Sequence, residues 1–197
     1  MLVDKTVREL LAAFSSSDPT PGGGSAAALA SAVGASLLLM VTSLPKTRSG
    51  TNEDRAVLAE AAEALVRLRQ QLTDAIDADT IAYDQVVAAY RLPKGSDAEK
   101  RVRKSAIQRA LRSATDVPLG VMRLSAMALK QAALVGAHGH DAASSDVGVA
   151  AALLRAGMRG ARLNVQINVG SIEDEAYREA VAAEAAEIDQ VATNVST

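Results

Sequence analysis

Apolar residues recur at three- and four-residue spacing along most of the chain, the period of helices that bury one face. Val7, Leu10, Leu11 and Phe14 follow this spacing directly after Thr6, which forms a capping-box pattern with Glu9, so a short helix is expected to open the chain. The segment Asp18-Pro19-Thr20-Pro21-Gly22-Gly23-Gly24 predicts a loop, because its prolines and glycines favour extended or positive-φ backbone. Residues 25–44 then carry no charge. That length raises the question of a membrane span, but Ala27, Ser31 and Ala35, like Ala30 and Gly34, place small residues at four-residue spacing. A helix apolar all round is what the centre of a bundle needs, and a buried core helix is the expectation.

The pattern resumes after a polar cap at Thr51 and Asp54 and runs to about Tyr90, as one helix or as two with a break between them. Unbroken, such a helix would be about 60 Å long. Leu92-Pro93-Lys94-Gly95 stops it, and Ser96 with Glu99 forms a second capping box at the head of a basic helix. Pro118 predicts a kink or a new start within that helix. A polar loop is expected over residues 138–144 and another helix from about Ser145-Asp146. Residues 163–169 alternate as a strand would, but no partner strand is legible, so they read as helix or irregular structure. A last helix follows Ser171. The pattern describes one all-α domain over residues 1–197, a helical bundle with a long central helix and a buried Ala-rich helix.

Composition narrows the possibilities. The chain has 197 residues, 49% apolar and only 2% aromatic, a helix-forming mixture rich in Ala, Leu and Val. A net charge of −2 provides no general attraction to nucleic acid or to anionic membrane. The absence of cysteine excludes disulfides, thiolate zinc sites and cysteine nucleophiles. No apolar stretch follows Met1 closely enough for a secretory signal, so a cytoplasmic protein with a small-molecule or protein partner is expected.

Against this background a few residues stand out. The long third helix holds Asp74, Asp77, Asp79 and Asp84. At 100° per residue Asp79 falls within about 40° of Leu65, Leu68, Leu72, Tyr83, Val86 and Tyr90, whereas the other three fall on other faces. A carboxylate on a buried stripe is costly to desolvate, so it should be paired, bonded by backbone donors or kept for chemistry. A helix break returning Asp79 to solvent is the competing expectation. Asp146 shares a face with Val149, Ala150, Leu153 and Gly157, although first-turn capping explains an aspartate there equally well. Gly22, Gly23 and Gly24 before Ser25 expose backbone N–H groups at a helix start, a possible anion cradle, without the lysine of a P-loop. His138-Gly139-His140-Asp141 offers too few ligands for a metal site, and no metal is expected.

Taken together, Pro19-Thr20-Pro21-Gly22-Gly23-Gly24-Ser25-Ala26-Ala27-Ala28, Asp79 to Tyr83, Leu92-Pro93-Lys94, Ser145-Asp146 and Asn164-Val165-Gln166-Ile167-Asn168 resemble the cyclodeaminase/cyclohydrolase family over nearly the whole chain. The resemblance implies an all-helical homodimer acting on a tetrahydrofolate derivative, with no cofactor beyond that substrate. It implies formiminotetrahydrofolate cyclodeaminase as the leading activity, methenyltetrahydrofolate cyclohydrolase as the alternative, and a folate-binding or scaffold protein without chemistry as a further one. On this reading Asp79, Lys94 and Asp146 are the catalytic candidates. Asp79 would stabilise the amidinium-like carbon and accept a proton, Lys94 would shuttle one, and Asp146 would support the pterin. Pro21, Gly22, Gly23, Gly24 and Ser25 would hold the pterin or the tail, and Lys100, Arg101 and Arg103 the glutamate carboxylates.

Overall fold

The computed structural model describes the backbone of residues 1–194 and the side chains of residues 1–190. A 3-10 turn, Leu2–Asp4, precedes six α-helices, α1 (Val7–Phe14), α2 (Gly23–Thr42), α3 (Asn52–Tyr90), α4 (Asp97–His138), α5 (Ser144–Val169) and α6 (Glu175–Asn194), and a second 3-10 turn, Asp141–Ala143, lies between α4 and α5. Both capping boxes form, Thr6 with Glu9 and Ser96 with Glu99. No strand occurs among the described residues, and the strand-like alternation of residues 163–169 lies in the last turns of α5. That segment sits at the edge of the bundle, with Val165 buried and Leu163 and Ile167 exposed, which a period of two cannot anticipate.

Helices α2 to α5 form a four-helix bundle in which α2 packs on α3 and α5 and, across the centre, on α4, while α6 lies over α4 and α5. The small residues of α2 bring it close to α5. Ala28 and Ala35 are fully buried, and Gly157 of α5 lies so close that a Cβ there would be 2.1 Å from Ser31 Oγ and 2.5 Å from the Ala27 carbonyl. The Ser125 hydroxyl donates to the Val121 carbonyl (2.7 Å), so the buried Ser31 hydroxyl is the donor in the 2.7 Å bond between the two serines, a polar tie from α2 to α4. The uncharged helix of the sequence is therefore a core helix, packed on three others.

Two expectations of a break are not met. Helix α3 runs through Ala78 without interruption, and α4 continues through Pro118. Proline at 118 cannot donate to the carbonyl of Ala114, one turn back. The Asn168 side-chain amide of α5 donates to that carbonyl instead, at 2.7 Å, so α4 continues as one helix with the acceptor satisfied. A third difference concerns Asp77, assigned by periodicity to an outer face. It is buried, because the N-terminal turn crosses α3 there and the Leu2 N–H donates to its carboxylate. A single helical wheel misses it because α3 is covered on two sides.

At one end of the bundle Asp54, the acid of the α3 first turn, gathers the loop from α2 and the end of α4. It accepts from Thr47 Oγ1 (3.1 Å) and the Ser49 N–H (2.7 Å) and contacts His138 Nδ1 (2.9 Å). The His138 bond, then those from Ser49 and Thr47, hold its pKa down at about 2, against an ordinary 3.8. The associated stabilisation is present above the unfolded value and is lost as pH falls toward 2. At the other end α3 and α4 outrun α2 and α5. The twelve residues from Asp79 to Tyr90 extend about 16 Å beyond the start of α2, forming a two-helix arm with a small core of Ala89, Ile107, Ala110 and Leu111, closed by Ile172 from the segment after α5.

Gly157→Ala tests the α2–α5 contact. Alanine adds up to about 1 kcal/mol of helix propensity, but its methyl has no room against the α2 backbone, and a net loss of about 1–3 kcal/mol in urea denaturation is expected. Equal or greater stability would show slack at this crossing.

Candidate functional site

The first turn of α2 meets α3 at Asp79. Gly22, the N-cap, supplies no side-chain cap, and the Asp79 carboxylate occupies that position instead. Its Oδ2 accepts from the Ser25 N–H at 2.9 Å and lies 3.0 Å from Ser25 Oγ, a fully buried hydroxyl that is also 2.9 Å from the Ile76 carbonyl. A Cβ at position 24 would lie 2.0 Å from Asp79 Oδ1, so any residue larger than glycine must displace the carboxylate. An acid from one helix thus satisfies the donor end of another, with the helix dipole favouring its charge.

Around this junction lies a cleft of about 320 Å³, bounded by the loop residues Pro19 and Thr20, the start of α2 (Gly22, Gly23, Gly24), Asp79, Tyr83 and Val86 of α3, Leu111 and Ala114 of α4, and Asn164 and Asn168 of α5. The volume is within the range of small-molecule sites. Burial raises the pKa of Asp79 above the ordinary carboxylate value, and the Ser25 hydroxyl and N–H oppose the rise without cancelling it. The cleft therefore offers a half-buried carboxylate of increased basicity, with no lysine, arginine or histidine in its lining. No cluster of three metal-ligating side chains occurs among the described residues. A second cavity of about 450 Å³, at the Asp54 end, is lined by Arg48, His140 and Ser144 among others and contains no carboxylate.

The structure brings some of the sequence candidates together and separates others. Asp79, Gly22, Gly23 and Gly24 share the cleft, Ser25 lies beneath it as the partner of Asp79, and Pro21 follows the cis Thr20–Pro21 bond in the loop above. Lys94 does not join them. It is exposed in the turn between α3 and α4, past the end of the arm. Lys100, Arg101 and Arg103 lie in the first two turns of α4 at the same tip. Lys100 pairs with Asp97 (3.0 Å), and Arg103 lies over the Tyr90 ring and donates to its carbonyl. Asp146 is half-exposed in the first turn of α5, on the same line of that helix as Asn164 but five turns away, about 27 Å. Within one chain it belongs to the opposite end of the bundle. Sequence reasoning assigned no role to Asn164 and Asn168; the available signal was two amides at i and i+4, hence on one helix face.

This geometry, an all-helical bundle with an acid seated on a glycine-rich helix start beside a small cleft, describes a small-molecule site rather than a polymer-binding surface. The sequence matches the formiminotransferase-cyclodeaminase family model over residues 6–187, and the chain belongs to that family. It is 41% identical to the methenyltetrahydrofolate cyclohydrolase of Methylorubrum extorquens, over 91% of this chain and 86% of the relative. It is 32% identical to the formimidoyltransferase-cyclodeaminase of Sus scrofa over 90% of this chain, but spans only 33% of that protein. The crystal structure of formiminotetrahydrofolate cyclodeaminase from Thermotoga maritima superposes with a TM-score of 0.88 at 25% identity, covering 99% of this chain and 93% of that one.

Gly24→Ala and Gly22→Ala separate the Asp79 seat from general loop effects. A methyl at 24 must displace the carboxylate and is expected to lower stability by about 1–3 kcal/mol, whereas at 22, where the nearest atom is 3.8 Å away, the change should stay within about 1 kcal/mol. Equal effects in thermal unfolding would deny the carboxylate its position.

Proposed function

We propose that this chain is a methenyltetrahydrofolate cyclohydrolase, opening the 5,10-methenyl bridge with water. The observation that carries the reading is the 41% identity to a cyclohydrolase across 86% of that relative's length. The chemistry of the cleft supports it. The methenyl carbon is an amidinium cation; water adds to it and loses a proton, and the C–N5 bond of the resulting adduct breaks, with N5 taking a proton and the adduct's hydroxyl releasing one to solvent, to leave the 10-formyl compound. Asp79 accepts the water's proton and can return one to N5, and its raised pKa makes it a better base than an ordinary carboxylate. Its charge also faces the cationic carbon. No cofactor beyond the folate is needed.

In this account the cations at the arm tip serve recognition. Lys94, Lys100 and Arg101 lie about 16 Å or more from Asp79, within reach of the glutamate end of an extended folate tail. Lys94 accordingly attracts carboxylates and does not move protons at the reacting carbon. The working form is a cytoplasmic homodimer joined through the uncharged outer stripe of α2 and α5. There Val33 and Met40 are 42% and 43% exposed and Leu163 and Ile167 61% and 74%, an apolar surface unusual on a lone chain.

The second reading is formiminotetrahydrofolate cyclodeaminase, favoured by the likeness to the Thermotoga maritima structure. There N10 attacks the formimino carbon, and Asp79, protonated more readily than an ordinary aspartate, would donate to the departing ammonia nitrogen.

The methenyl chromophore distinguishes the two. Accelerated disappearance of added 5,10-methenyltetrahydrofolate is expected, with Asp79→Asn reducing the rate by about 10²–10⁴-fold while the helical content is retained. Appearance of the chromophore from 5-formiminotetrahydrofolate with ammonia release would select the second reading, and no change with either substrate would leave a binding protein.

A further inference from the structure

We propose that Asn164 and Asn168 are specificity-determining residues whose side-chain carbonyl oxygens accept hydrogen bonds from the N–H edge of the substrate's pterin ring. This rests on the folate reading above and goes beyond it by naming what orients the ring. The two residues are one turn apart on α5, both half-buried and both in the cleft wall with Asp79. Each commits an amide hydrogen to a backbone carbonyl, Asn164 to Gly160 at 2.9 Å and Asn168 to Ala114 at 2.7 Å. Those partners fix the orientation of both amides, because a flipped group would set oxygen against oxygen. The two Oδ1 atoms consequently point elsewhere, and neither accepts a hydrogen bond from the described residues.

The third acceptor is close by. Gly23 and Gly24 are consecutive; a Cβ on the first would lie 3.5 Å from Asn164 Nδ2 and on the second against Asp79 Oδ1, so the amide and the carboxylate flank adjacent backbone positions. Asp79 engages Ser25 through Oδ2, leaving Oδ1 toward the cleft. With these three oxygens, the hydroxyls of Thr20 and Tyr83 and no cationic side chain, the wall favours a ligand that brings several N–H groups of its own. A reduced pterin has several away from N5: the 2-amino group and N3–H of its pyrimidine ring and N8–H of its reduced pyrazine ring. With that edge held by α5, the opposite side of the bicycle, which bears N5 and the one-carbon bridge, is turned toward α3 and Asp79.

Asn168 also serves the fold, since it satisfies the carbonyl left open by Pro118, and the test must remove that role. Pro118→Ala restores a backbone donor for Ala114, so Pro118→Ala/Asn168→Ala loses only the cleft contact. Asn164→Ala needs no such repair, because the Gly160 carbonyl already accepts within the helix. Titration calorimetry of the full-length protein with tetrahydrofolate and with its 2-desamino-2-methyl analogue reads the proposal. Wild type should bind the analogue about tenfold or more weakly. Asn164→Ala and the double variant should bind tetrahydrofolate about tenfold more weakly than wild type and Pro118→Ala respectively, and discriminate between the two ligands less than wild type does. Equal wild-type affinity for both ligands, or full discrimination in both variants, overturns the assignment while leaving the folate reading intact. Failure of wild type to bind tetrahydrofolate overturns the folate reading itself.

Discussion

The contact between the Asp79 carboxylate and the first turn of α2 is the constraint on which the site depends. Helix α2 begins without a side-chain cap of its own, and its N-cap is a glycine preceded by prolines. The acid that completes it comes from α3, fifty-four residues on, through bonds of 2.9 and 3.0 Å to Ser25. The same bonds that join the helices leave one carboxylate oxygen at the cleft. Structural and chemical roles are thus combined in one side chain, and Gly24 is explained by its proximity rather than by any unusual backbone angle.

Two opposed effects set the character of that acid. Burial favours the neutral form and raises its pKa; the Ser25 donors favour the charged form and limit the rise. Asp54, at the far end of the bundle, shows the contrary balance. Held by His138, Ser49 and Thr47, it lies well below the ordinary range and acts as a structural pin. The difference between a fastening and a proton acceptor lies in the balance between desolvation and the donors each acid receives.

The inequality of helix lengths has an equally direct consequence. Because α3 and α4 outrun α2 and α5, the cleft forms at the root of a projecting arm, and Lys94, which the family resemblance offered for proton transfer, lies at its tip with Lys100, Arg101 and Arg103. Periodicity along the chain showed which helices exist, that the uncharged helix is central, and that Asp79 lies on the buried stripe. It could not show the continuity of α4 at Pro118, which depends on a side chain fifty residues away, or the burial of Asp77, which depends on the N-terminal turn. It also could not separate Asp146 from Asp79. Both fall on an inner helix face, and only the antiparallel course of α2 and α5 places them at opposite ends.

The ionisation of Asp79 is the most direct measure of this account. A ¹³C-carboxyl NMR titration of aspartate-labelled protein should contain one resonance, absent from Asp79→Asn, that titrates above the ordinary value of 3.8 and moves higher still when Ser25 is replaced by alanine. An Asp79 resonance that titrates at or below 3.8 and is indifferent to Ser25 would place that carboxylate in open solvent and contradict the account.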